Sequence, residues 1–175
     1  MKMAVMINFL FVLIGVTAVL SLASTVYIFQ SDFPISLQVN GEVWTRQVSE
    51  FAMSDRLVVF TLIELASLPW FWALFNMWRL AGLYKGSQYF TQGNSKCFVN
   101  IGVALIIMAA LQTSLAPVAS WYLYSRDVID GLADWDISLI FLSETDLLTA
   151  GLFFLLVGTI MEKASKLQEE ADMTI

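Results

Sequence analysis

Four stretches of the chain are apolar for longer than a soluble helix or strand requires, and polar segments separate them. Met3 to Phe29 carries no charge. A bilayer crossing takes about 20 apolar residues, and this run exceeds that. It is also too long for the apolar core of a signal peptide, so Lys2 and Ser21-Leu22-Ala23 read as parts of an uncleaved helix rather than a leader with a cleavage site. Leu57 to Trp78 is a second span, running on to about Leu83, and Cys97 to Tyr124 is a third. A fourth runs from Leu147 to Met161. Ser143 stands before it as a cap, and Glu144 and Asp146 suit the positive end of its dipole. The helices are expected at about 3–29, 57–83, 95–124 and 143–168, the third capped by Asn94 or Ser95.

Between the first two spans the period changes from helix to strand. Ile35-Ser36-Leu37-Gln38-Val39 alternates apolar with polar, Asn40-Gly41 follows, and Glu42 to Val48 alternates again. Asn-Gly between alternating runs marks a hairpin, because both turn residues must take positive φ. An isolated hairpin is marginal, and Ile137 to Leu142 is the candidate third strand. The expected fold is therefore all-α membrane: a bundle of four transmembrane helices, one domain, with a small extracytoplasmic β-hairpin or three-stranded sheet.

Charge sets the orientation. With the N-terminus in the cytoplasm, Lys2, Arg79, Lys85, Lys96, Lys163 and Lys166 lie inside, while Arg46, Arg56 and Arg126 lie outside. The positive-inside rule favours that arrangement. Loop 84–94 and tail 162–175 are then cytoplasmic, and loops 30–56 and 125–142 lie outside.

Composition closes several functional classes. Hydrophobic residues make up 58% and charged residues 14%, against roughly 45–50% and 25% in soluble domains. The net charge of -6 offers no basic surface for direct nucleic-acid binding. There is one cysteine, Cys97, and no histidine. A disulfide framework, bis-histidine haem, histidine zinc sites and a histidine general base are excluded. No phosphate loop, nucleophile elbow or catalytic carboxylate pair is present, so no enzyme, cofactor or metal is expected.

What remains is an intramembrane polar layer. Glu64 is the one acid well inside a span. Gln112, Thr113, Ser21 and Thr149 fall at similar depth by the helical rise. Pro69 and Pro117 free the carbonyls of Leu65 and Thr113. This layer reads either as interhelical glue, with a protonated Glu64 bonded to Gln112, or as a proton or ligand site. The outer acids Asp127, Asp130, Asp134 and Asp136 lack the spacing of a calcium loop and read as a solvated loop. Gly151 and Gly158 share one face of the fourth helix and suit close packing within the bundle or between copies.

Four spans, an outer hairpin and the stretch Gly86-Ser87-Gln88-Tyr89-Phe90-Thr91-Gln92-Gly93-Asn94-Ser95-Lys96 together resemble a family of small bacterial membrane proteins classed as a domain of unknown function. Gly86, Phe90, Thr91 and Asn94 carry the likeness, with Leu167, Glu169, Glu170, Asp172, Thr174 and Ile175 at the end. The resemblance implies four helices and a bacterial inner membrane, and no chemistry. Members of the family are often encoded beside a small Cro/CI-type helix-turn-helix regulator. Read physically, the loop folds back to cap the third helix, with Phe90 docked on the helix ends; alternatively Tyr89 and Phe90 are exposed to anchor a partner.

The first expectation is a non-enzymatic regulatory or sensory membrane protein. Gly86, Tyr89, Phe90, Thr91, Asn94 and Lys96 would bind a cytoplasmic regulator protein. The rivals are a small homo-oligomeric transporter or channel with Glu64 on its pathway, and an immunity or accessory subunit of a membrane complex. The chain shows no inverted repeat of the transporter kind.

Overall fold

The computed structural model describes residues 3–30, 32, 34–132 and 144–172. Helix α1 covers Met3–Gln30, strands β1 and β2 cover Pro34–Val39 and Glu42–Gln47, and a 3-10 turn covers Val48–Glu50. Helices α2 (Met53–Lys85), α3 (Gln92–Ser125) and α4 (Thr145–Asp172) complete the chain. All four helices are long and apolar enough to cross a membrane. The 33 residues of α2 extend about 50 Å at the usual rise, more than the hydrocarbon core of about 30 Å. The proposed strand at 137–142 and the cap Ser143 lie outside the described residues.

The chain divides into two compact units. The first holds residues 1–20, 69–107 and 146–175. Here α1 is buried along a narrow seam at Ile7 and Ile14, with Phe11 and Ala18 half-buried. That spacing of four and three is the one a helix uses to lie along a neighbour. Phe11 meets Trp78 of α2 edge-on, with centroids 4.7 Å apart. The other faces of α1, among them Val5, Phe9, Val12, Val16 and Val19, are exposed. Water would make that exposure costly at about 25 cal/mol per Å² of apolar surface, whereas lipid makes it neutral.

Helices α3 and α4 approach at backbone distance. A Cβ on Gly102 would stand 2.6 Å from the carbonyl oxygen of Gly151, and one on Gly151 would stand 2.9 Å from that of Gly102. A Cβ on Gly158 would lie 2.7 Å from Val99 Cγ2. Ser95, seven residues before Gly102, donates its hydroxyl to the Gly158 carbonyl at 2.9 Å. Small residues at seven-residue steps on both helices therefore form one seam, and Phe98 and Phe154 stack beside it. Of the two readings of Gly151 and Gly158, packing within the chain is the one observed.

The second unit holds residues 21–68 and 108–145. Its hairpin pairs Pro34 with Gln47 through Val39 with Glu42. Asn40 and Gly41 turn it with φ of 53° and 80°, as the two-residue turn demands. Leu37, Phe51, Val59, Leu123 and Ile129 form its core, with Ile35, Val39 and Trp44 packed against them. The hairpin thus gains its stability by laying its apolar face on the ends of α2 and α3. Gly131 passes so close to Asn40 and Val39 that a Cβ would stand 2.6 Å from the Asn40 amide nitrogen.

Candidate functional site

The residues of the expected polar layer fall into both units. Glu64, Gln112, Thr113 and Ser21 belong to the second and are half-buried; Thr149 belongs to the first and is exposed. Glu64 is met by Ser67 of its own helix. The Ser67 hydroxyl donates to the Glu64 carbonyl at 2.8 Å and lies 3.5 Å from its carboxylate. Further along α3, Ser120 is buried and donates to the Pro117 carbonyl at 2.9 Å.

Asparagines make a polar contact between α2 and α3 nearer the loop. Asn76 of α2 donates its amide to Trp72 O at 2.9 Å and accepts from Asn100 of α3 at 3.0 Å. Asn76 lies nine residues before the end of α2 and Asn100 eight after the start of α3. Antiparallel neighbours joined by a short loop bring those positions to one depth. Counting ionisable residues alone passes over both, and the matched spacing from the loop is the signal that finds them.

The α2–α3 loop is rigidly built. Helix α2 closes with Gln88 N donating to Leu83 O at 3.0 Å and Ser87 N to Tyr84 O at 3.1 Å. This is the paired closure that requires a left-handed residue after the helix. That residue is Ser87, with φ 59°, and not the neighbouring Gly86. Thr91 caps α3: its hydroxyl accepts from Asn94 N at 3.4 Å and its carbonyl at 3.0 Å. The cap therefore falls at Thr91, and α3 starts three residues earlier than expected. Asn94 takes a different role. Fully buried, it donates its amide to the carbonyls of Gln88 at 2.7 Å and Tyr89 at 2.6 Å.

That grip holds the backbone on which the loop's two aromatics, Tyr89 and Phe90, stand. The Tyr89 ring stacks on Tyr84 with centroids 6.0 Å apart. Phe90, expected to dock on the helix ends, is instead 58% exposed. Tyr89 is itself 36% exposed, so both aromatics face out and Phe90 is the more exposed of the two. Beside Phe90 lies a groove of about 550 Å³, lined by Thr91, Gln92, Gly93, Ser165, Gln168 and Glu169. It exists because α4 continues past the point where α3 begins. Gln92 donates its amide to the Glu169 carboxylate across it at 3.3 Å. Lys96 is exposed four residues into α3, and Gly86 is exposed in the loop. Thr174 and Ile175 lie outside the described residues.

In the second unit the polar groups form a brace. Asp55, buried at the start of α2, accepts from the Tyr122 hydroxyl at 2.8 Å and from Arg126 Nε at 3.2 Å. Asp32 accepts from the backbone and hydroxyl of Ser49 at 2.9 and 2.8 Å. Those donors, the backbone N–H first, hold its carboxyl below the usual aspartate value against a small opposing desolvation, with Arg56 adding a weak pull. Asp127 takes φ 55° and closes α3 as Ser87 closes α2, with Val128 N donating to Leu123 O. Asp134 and Asp136 lie outside the described residues, among which no group of three carboxylates, cysteines or histidines is placed to hold a metal.

No curated protein and no solved structure matches the chain. A family model matches residues 2–175, nearly its whole length, and by that match the chain belongs to the family described as protein of unknown function (DUF2975).

Proposed function

We propose that this is a non-enzymatic multi-pass protein of the bacterial cytoplasmic membrane, with both termini in the cytoplasm, in a regulatory or sensory role. Its working face is the α2–α3 loop together with the end of α4, and its partner is a soluble cytoplasmic protein. One observation carries the reading: a loop held by Ser87, Thr91 and Asn94 displays Phe90 at 58% exposure on the rim of a groove. An aromatic side chain on a pre-ordered loop loses little entropy on binding, which is what makes such residues binding anchors. The basic residues around this loop support its cytoplasmic placement. The absence of histidine and of catalytic motifs supports a role without chemistry. The hairpin and the Asp55 brace would present the sensing surface.

The test is co-purification from native membranes in mild detergent. Phe90→Ala should weaken a retained soluble partner by about 2 kcal/mol, roughly 30-fold in affinity, with the melting temperature unchanged. Identical partner sets for the native chain, Phe90→Ala and Glu169→Lys would overturn the reading.

A further inference from the structure

Although the chain carries fifteen acids and a net charge of -6, residues 65 to 126 contain no Asp or Glu. That stretch includes the loop ends of α2 and α3 and three bases there: Arg79, Lys85 and Lys96. All three are exposed, and among the described residues none makes an ion pair. Two arginines of the second unit, Arg46 and Arg126, differ. Arg46 pairs with Glu50 at 3.4 Å and Arg126 with Asp55 at 3.2 Å. The acid facing Lys96, Glu162, is held by Lys166 at 2.8 Å. Lys85 does have a partner, but an aromatic one: its ammonium lies 5.8 Å from the Phe11 ring, which Trp78 abuts.

Depth gives these cations a common neighbour. Lys85 ends α2, Arg79 stands six residues before it, and Lys96 stands four residues into α3. At the helical rise these offsets are about 9 Å and about 6 Å. The headgroup layer on each side of the hydrocarbon core is about 5–8 Å deep, and long basic side chains reach outward along the helix to meet it. Cations without an acidic partner held at that level, one of them over an aromatic ring, are matched to phosphate oxygens.

We propose that the loop ends of α2 and α3 bind anionic phospholipid headgroups through Arg79, Lys85 and Lys96. The occupant is a lipid phosphate within a net-negative headgroup. A zwitterionic headgroup presents its own cation to the same bases and gains less. The proposal is independent of any cytoplasmic partner, because the bases lie at lipid level and not on the Phe90 groove.

The experiment is native mass spectrometry of the full chain released from vesicles of equimolar phosphatidylglycerol and phosphatidylcholine. Adducts of the anionic lipid should exceed those of the zwitterionic one by about fivefold, the scale of one basic contact. The triple variant Arg79→Gln, Lys85→Gln, Lys96→Gln should lose that preference, while Arg46→Gln keeps it. The conservative set Arg79→Lys, Lys85→Arg, Lys96→Arg should also keep it, which separates lost charge from lost fold. Equal retention of the two lipids by the native chain would overturn the proposal, as would a preference that survives in the triple-glutamine variant. Free inorganic phosphate that removes the adducts at low concentration would show a site for the soluble anion and would equally overturn the lipid assignment.

Discussion

Replacing Gly102 by alanine sets two known effects against each other. In the middle of a helix alanine is favoured over glycine by about 1 kcal/mol. At this position the added Cβ would stand 2.6 Å from Gly151 O and 2.9 Å from both Leu155 N and Leu155 Cγ. Two of those three atoms are backbone, so the neighbour cannot yield by turning a side chain. Overpacking of this kind costs about 1–3 kcal/mol, and the rigid contact places it at the upper end. The net expectation is a loss of about 2 kcal/mol, since the larger opposing effect wins. Gly82 is the matched control: it is also inside a helix, but a Cβ there meets nothing within 4 Å. Gly82→Ala should therefore gain about 1 kcal/mol. In thermal unfolding from mild detergent, at about 2–4 °C per kcal/mol for a chain of this size, Gly102→Ala should melt about 4–8 °C lower and Gly82→Ala about 2–4 °C higher. A Gly102→Ala variant that melts at or above the native temperature would refute the close approach of α3 and α4. The double variant Gly102→Ala, Gly151→Ala should be less destabilised than the sum of the two singles, because one separation of the helices relieves both contacts.

Ser87→Gly should stabilise the protein by about 0.5–1 kcal/mol, because Ser87 holds a left-handed φ of 59° that glycine adopts freely; Asp127→Gly should gain less, since aspartate tolerates that region better. Both are read as melting shifts. Asn94→Asp keeps the shape but loses both amide donors and turns an anion toward two carbonyls, so a loss of at least about 2 kcal/mol is expected; a variant as stable as the native chain would show that the loop does not depend on this grip. Asp32 sets a pH dependence. Its folded pKa is depressed by Ser49, so its contribution is present above the unfolded value of 3.8 and is lost as pH falls through the lower folded value. The native chain should melt higher than Asp32→Asn at neutral pH, with the gap closing below pH 3.8; a constant gap would contradict the assignment.

How much of this was legible beforehand depended on whether the signal was local. The four spans follow from solvent chemistry, and Asn40-Gly41 follows from backbone sterics, so neither needed knowledge of a distant partner. Helix ends are nearly local, and they shifted by a residue or more. Gly86 marks a helix stop by type, yet the left-handed position is Ser87, because the closure counts from Leu83 and Tyr84. Asn94 is a good cap by type, but Thr91 stands where the free N–H groups are, which releases Asn94 for the loop carbonyls. The spacing of Gly151 and Gly158 announced a seam, but only the fold names Gly102, Val99 and Ser95 as its other side. Glu64 stands out in the sequence because it is ionisable, whereas the Asn76–Asn100 pair between α2 and α3 does not. Neutral amides carry no charge pattern, and only their equal distance from the loop betrays them.

The proposed topology runs the four helices across a bilayer, with the α2–α3 loop in the cytoplasm and the hairpin outside. Impermeant maleimide labelling in sealed vesicles tests it most directly. In a Cys97→Ala background, single cysteines would replace Val43 on the hairpin, Gln88 in the loop and Gln168 near the end of α4, all three exposed. The Val43 position should label from one side only, and the Gln88 and Gln168 positions only from the other. Labelling of all three from the same side of intact vesicles would contradict it.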